Sequence, residues 1–170
     1  SVQNDATSEV VEMTQGETVE RYASISEAIN NAEDYSYPEN KTQYVIKLLQ
    51  DTEEDVVIPA NKYIKIDLNG HKITNVSSHT IYNNSTRIYI TDSSEEKTGT
   101  VDNITHGKGA VYNNIKATIS LEGGNYTRSQ EAGADADNDG GNSWYVIKNF
   151  GTMTIKDGVT VKFPDGKGKY

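Results

Sequence analysis

A degenerate repeat constrains this chain more than any other feature. Three segments, TIYNNSTRIYITD (80–92), AVYNNIKATISLEGG (110–124) and YVIKNFGTMTIKDG (145–158), follow one plan. Each opens on an apolar pair, passes through Asn or Asn-Asn, enters a Thr-rich alternation and closes on an Asp/Gly turn. Alternation with a period of two marks strands that have one buried and one wet face. The same alternation places Ile64, Ile66 and Leu68 inward, as it does Ile88 and Ile90, Ile119 and Leu121, Met153 and Ile155, and Val159, Val161 and Phe163.

The spacing of these segments predicts how they stack. Ile66 to Ile88 is 22 residues, Ile88 to Ile119 is 31 and Ile119 to Met153 is 34. The shortest step is one rung of a parallel β-helix, and the longer two fit a rung with inserted loops at about 92–108 and 125–143. Repeats near this period signal a solenoid. Each rung then packs only on its neighbours, and the core is a thin column. This accounts for the composition. Only 34% of the residues are hydrophobic, against roughly 45–50% in an average globular chain when Gly is counted, and a thin column needs few per rung. Asn tolerates the left-handed backbone of tight turns. Asn83, Asn84, Asn113, Asn114 and Asn149 recur at one place in the repeat, and some are expected to stack amide on amide as a ladder.

Ahead of the repeat, VVEM (10–13) and TVERY (18–22) flank the turn TQGE, which predicts a hairpin. Ile25, Ala28, Ile29 and Ala32 then recur at helical spacing, Ser24 or Ser26 can cap, and Glu27 stands at capping-box spacing from Ser24, so one short helix is expected at about 25–33. The expected organisation is a polar, disordered linker at 1–8, a single domain at 9–163 whose N-terminal cap is 9–34, and a linker stub at 164–170. The fold class is an all-β solenoid: a right-handed parallel β-helix of about five rungs, capped by the hairpin and helix.

Several functions fall away. No apolar run approaches a membrane span. A net charge of −9 and a pI near 4.8 lack the basic footprint of a nucleic-acid binder. The absence of cysteine removes disulfide frameworks and thiolate chemistry.

The run YASISEAINNAED, followed by YVIKLLQDTEEDVVIPANKYIKIDLNGHKIT and the YNN…TI…EGG units, resembles right-handed β-helix repeat domains of pectate-lyase-like shape. Such domains occur in large exported surface proteins of Gram-positive gut bacteria. IDLNGHKIT (66–74) is similar to their commonest motif, and the resemblance covers about 9–163. It implies an extracellular, cell-surface location and a solenoid whose open N-terminal end is closed by a cap. The shape does not itself assign an activity.

Two groups of residues could carry function. ADADNDGG (134–141) spaces Asp135, Asp137 and Asp139 like the ligands of a calcium loop, with Gly140 at the turn. The acid that would close an EF-hand loop is replaced by Val146, and a solvated acidic loop is the competing reading. No other cofactor is expected. The second group is an outward stripe of aromatic and cationic residues, Tyr63, Lys65, Arg87 and Tyr89, joined by Trp144 and Tyr145 after the Asp-rich loop. Exposed aromatics on a rigid sheet suit sugar stacking or protein hot spots. Packing beneath loops is the competing reading for each residue alone. Asp67 and Glu122 also alternate outward, but an intervening rung separates them, and a glycosidase needs two carboxyls at a short, defined separation. His71, His79 and His106 form no metal spacing; His71 is expected in a structural turn and the other two in loops.

The expectation is therefore a non-catalytic binding or adhesion module, monomeric when isolated. Its partner would be a host glycoprotein such as mucin or immunoglobulin, or a polysaccharide. A polysaccharide lyase and a passive stalk are the alternatives.

Overall fold

The computed structural model describes residues 9–129 and 145–162. The predicted hairpin is β1 (Val11–Gln15) and β2 (Thr18–Tyr22), and the predicted helix is α1 (Ile25–Asn31). Then come β3 (Tyr44–Leu48), β4 (Thr52–Glu53), β5 (Val56–Ile58), β6 (Tyr63–Asp67), β7 (Lys72–Thr74), β8 (Ile81–Asn83), β9 (Arg87–Thr91), β10 (Thr100–Asp102) and β11 (Val111–Asn113). The last strands are β12 (Thr118–Leu121), β13 (Asn125–Thr127), β14 (Ile147–Asn149), β15 (Thr152–Ile155) and β16 (Thr160–Lys162).

From β3 onward, consecutive strands fall in turn into three sheets. Their orders are β15-β12-β9-β6-β3-β1-β2, β16-β13-β10-β7-β4 and β14-β11-β8-β5. Among β3 to β16 every pairing is parallel, and only the hairpin pairs antiparallel, with itself and with β3. Inward residues stack in columns across the strands. Ile46, Ile66, Ile90, Leu121 and Ile155 form one, and Tyr44, Ile64, Ile88, Ile119 and Met153 a second. The five-stranded sheet adds Ile73, Val101, Tyr126 and Val161. The four-stranded sheet adds Val56, Ile81, Val111 and Ile147. The central members of these columns are fully buried.

The expected Asn ladder is present. Register places Ile58, Asn83, Asn113 and Asn149 in one column. Asn83 Nδ2 donates to Asn113 Oδ1 and Asn113 Nδ2 donates to Asn149 Oδ1, both at 2.9 Å. The same amides donate to the carbonyls of Ser85, Thr118, Ala117 and Thr152, where the chain turns from the four-stranded to the seven-stranded sheet. Buried turn carbonyls are costly when unpaired, and the ladder supplies their donors. An outer pair, Asn114 Nδ2 to Asn84 Oδ1 at 2.9 Å, runs beside it.

At the N-terminal end the hairpin extends the seven-stranded sheet, and α1 buries Ile25, Ala28 and Ile29. Ser24 Oγ accepts the Glu27 N–H at 2.9 Å, and the Glu54 carboxylate accepts the N–H groups of Ile25 and Ser26 at 3.0 and 2.9 Å. These bonds satisfy the donors that a helix start leaves unpaired. The helix ends two residues short of 33, because Ala32 turns to extended geometry.

Three expectations need correction. Ile88 lies opposite Ile64, not Ile66, so that step is 24 residues rather than 22. A slip of two preserves which side chains face inward, so alternation cannot detect it. The regions 92–108 and 125–143 are not wholly loop, since β10 and β13 lie within them. Each is three residues long with one inward side chain, Val101 or Tyr126, which leaves no alternation to see. Finally, Ile155 and Val161 occupy inward positions but are 53% and 45% exposed. No described strand covers β14, β15 and β16, and Phe163 lies outside the described residues.

Candidate functional site

The outer face of the seven-stranded sheet is a regular grid. Tyr63, Arg87, Thr118 and Thr152 lie in one row, and Val45, Lys65, Tyr89, Ser120 and Thr154 in the next. The grid brings the four predicted residues Tyr63, Lys65, Arg87 and Tyr89 together. Tyr63 and Tyr89 are diagonal neighbours on adjacent strands, with ring centroids 6.4 Å apart. Tyr35 meets Tyr63 edge-on at 5.9 Å, and the Arg87 guanidinium lies over the Tyr35 ring at 3.8 Å. Tyr35 follows the helix in a stretch without periodicity, so the sequence carries no signal that would place it here.

Lys65 Nζ stands 5.9 Å from the Tyr89 ring centroid and 3.2 Å from Glu122 Oε1, while Lys156 Nζ lies 2.7 Å from Glu122 Oε2. The bond from Lys156, aided by Lys65 and opposed by partial burial, holds the Glu122 carboxyl below its ordinary value. Arg87, by contrast, makes no ion pair among the described residues. The face therefore offers an exposed guanidinium, tilted aromatic rings and a patch of hydroxyls from Thr118, Ser120, Thr152 and Thr154.

Asp67 departs from its predicted outward position. It is buried, and its Oδ1 accepts the N–H groups of Asn69 and Ser93 at 2.9 Å each. It sits where the chain leaves the sheet and must satisfy turn N–H groups. Asp92 does the same one strand on, accepting from the N–H groups of Gly70, Ser94 and Gly99 and from Ser94 Oγ. These carboxylates belong to the scaffold.

A second outer face lies on the four-stranded sheet, and the sequence reading missed most of it. Val57, Tyr82, Tyr112 and Lys148 share one outward row. The Tyr82 and Tyr112 rings stack at 4.8 Å and 10°. His79 packs against both, at 6.0 and 4.6 Å, and Phe150 closes on Tyr112 at 5.5 Å. Tyr145 belongs here rather than with Tyr63 and Tyr89: Lys148 Nζ lies 5.4 Å from its ring centroid and 5.5 Å from that of Phe150. The three-residue strands of this sheet point only one side chain outward, so the usual alternation is invisible. The signal that could have found the row is the shared position of Tyr82 and Tyr112, each directly before Asn-Asn.

His79 does more than occupy a loop. Its Nδ1 accepts the Gly109 N–H at 3.0 Å, which leaves the ring proton on Nε2. Burial, with Lys108 and Lys148 nearby, depresses its pKa to about 4. His71 Nδ1 meets Asp51 Oδ1 at 3.4 Å.

Trp144 and the calcium-loop residues Asp135, Asp137 and Asp139 lie outside the described residues. Among the described residues no group of three or more His, Cys, Asp or Glu side chains could hold a metal ion. No described helix is long and apolar enough to cross a membrane. Compared with known proteins, the chain matches no family model, no curated protein and no solved structure.

Proposed function

We propose that this chain is a right-handed parallel β-helix that serves as a non-catalytic, extracellular binding module of a bacterial surface protein. The rotation of consecutive strands through three parallel sheets supports the fold. The near-universal hand of parallel crossovers supports its handedness. The ligand is a glycan, free or carried on a host glycoprotein such as mucin or immunoglobulin. It lies across the outer face of the seven-stranded sheet.

The observation that carries this reading is the convergence of Tyr63, Tyr89 and Tyr35 with Arg87 beside four hydroxyl side chains. The strands β6, β9 and β12 beneath Tyr63, Arg87, Tyr89, Thr118 and Ser120 are paired on both sides, so these groups are preorganised and binding orders few of them. Aromatic rings take the apolar faces of sugars, and hydroxyl and guanidinium groups take their polar edges. Binding is favoured over catalysis by the state of the carboxylates. Glu122 is held below its ordinary pKa between two lysines, whereas a general acid needs a raised one, and Asp67 is buried with its Oδ1 engaged by two backbone N–H groups.

A glycan array followed by pull-down of purified mucin tests the reading. Tyr89→Ala and Arg87→Gln should each abolish capture while leaving the melting temperature close to that of the parent. Capture that survives both substitutions would refute the placement. Release of unsaturated product from polygalacturonate with Ca²⁺ would replace binding by lyase chemistry.

A further inference from the structure

We infer that the outer face of the four-stranded sheet is a second binding site, built for a sugar that carries a carboxylate or sulfate group. The proposal is independent of the seven-stranded face, because no residue is shared between them.

Two kinds of observation converge on it. The first is charge. This chain carries 25 acidic side chains against 16 basic ones, yet Lys108 and Lys148 make no ion pair among the described residues. Both lie near enough to His79 to disfavour its protonation. Asp55 acts on His79 in the opposite sense, but its oxygens are taken up by the N–H groups of Val76, Ser77 and Ser78. Among the described groups that act on His79, two ammonium groups thus face the single carboxylate of Asp55, and an anion from outside would balance the excess positive charge.

The second is shape and donor chemistry. Tyr82 and Tyr112 are stacked one strand apart, so they present ring edges and hydroxyls rather than faces. Tyr145 and Phe150 are 56% and 53% exposed and offer ring surface at one end of the row. With Nδ1 of His79 engaged by Gly109, its Nε2–H is a donor in a fixed tautomer. The row is therefore a line of donors on a rigid floor, flanked by two cations and ended by aromatic surface. A peptide would be a poorer fit. Peptides commonly dock on sheets through unpaired strand edges, and the inner strands β8 and β11 have both edges paired. Over β8 and β11 a ligand gains side-chain contacts only, which suits the hydroxyls and charged groups of a glycan; the edge left open among the described strands at this end is that of β14, which carries Lys148.

The test is titration of the whole chain at low salt with an oligouronate, a sulfated galactan oligosaccharide and the neutral methyl ester of the oligouronate. Amide spectra and calorimetry are the readouts. At least one charged sugar should bind and shift the amides of Gly109, Tyr112 and Lys148, and the tighter one identifies the anion. The neutral ester should bind roughly tenfold more weakly or not at all, and added salt should weaken the charged complex. The paired substitution Lys108→Gln with Lys148→Gln should cost roughly tenfold or more in affinity. Arg87→Gln should leave this site unchanged while disabling the other face, so the two readings can fail separately. Equal binding of the neutral ester, full affinity in the paired variant, shifts confined to the seven-stranded face, or no binding of either charged sugar would each overturn the proposal. Both lysines are half-buried, and an unchanged amide spectrum away from the row shows that the variant has folded.

Discussion

The Asn column makes the sharpest test of how this chain holds together. Asn113 is fully buried. It accepts from Asn83 at 2.9 Å and donates to Asn149 Oδ1 at 2.9 Å, Thr152 O at 3.1 Å and Ala117 O at 3.2 Å. Its two amide hydrogens serve three acceptors, so about three full bonds are at stake, each worth roughly 1 kcal/mol net. Truncation to Ala leaves most partners with a substitute. Asn83 Nδ2 retains Ser85 O and Thr118 O, Asn149 Oδ1 retains the Gly151 N–H, and Ala117 O retains the Thr152 N–H. Thr152 O loses its side-chain donor, for a further cost of roughly 1 kcal/mol. Asn113→Ala should therefore destabilise by about 4 kcal/mol, which lowers the melting temperature by roughly 8–16 °C for a domain of this size. Urea unfolding followed by circular dichroism measures it. Asn114→Ala, which removes the outer pair, should cost under about 1 kcal/mol. Asn113→Leu separates the causes. It restores volume but not donors, so it should be nearly as unstable as the Ala variant. A Leu variant as stable as the parent, or Asn113→Ala no worse than Asn114→Ala, would show that the column contributes packing and not hydrogen bonding.

Other consequences can be checked with the same protein. A Cβ at Gly151 would stand 2.1 Å from Ala117 O and 2.6 Å from Asn114 O. Because both are backbone atoms, Gly151→Ala should cost on the order of 3 kcal/mol or more, or fail to fold. Burial works to raise the pKa of Asp92, but bonds from Ser94 Oγ and the N–H groups of Gly99, Gly70 and Ser94 outweigh it and hold the carboxyl below its ordinary value. The stability it contributes is complete above the unfolded pKa and is lost as pH falls through the folded one. Asp92→Asn should therefore flatten the acid limb of an unfolding profile below about pH 4. His79 acts at higher pH: its folded pKa is near 4, so the unfolded chain takes up a proton first and stability falls from about pH 6.5 downward. His79→Gln should remove that slope, and an NMR titration placing the His79 midpoint near 6.5 would refute the burial argument. In hydrogen exchange, amides of β15 and β16 should lose protection well before those of β6 and β9, because no described strand covers the former.

Much of the architecture was legible because alternation is a local property. Ile64, Ile66, Ile88, Ile90, Ile119 and Leu121 were assigned inward, and all are buried. The hairpin and the helix follow from a turn signal and a 3.6-residue period. The recurrence of Asn before each Thr-rich strand pointed to the ladder. Alternation said nothing about the three-residue strands of the other two sheets, where a single inward residue in the five-stranded sheet, or a single outward one in the four-stranded sheet, cannot establish a period. It therefore missed β10, β13 and the Tyr82–Tyr112 row.

The sequence by itself determined which side chains face inward, that strands follow one another at repeat spacing, and that Asn residues recur at one turn. Each of these depends on a chain's nearest neighbours and on the fixed geometry of a strand. Only the tertiary structure decided which strands lie side by side. That choice set the 24-residue step, buried Asp67 under a turn that needed its oxygens, and carried Tyr35 to Arg87 and Tyr63 across the chain. It also divided the predicted aromatic set, sending Tyr145 to a different sheet from Tyr63 and Tyr89. Register and adjacency arise from packing among distant segments, and a local pattern is unchanged when a strand slips by two residues or joins another sheet.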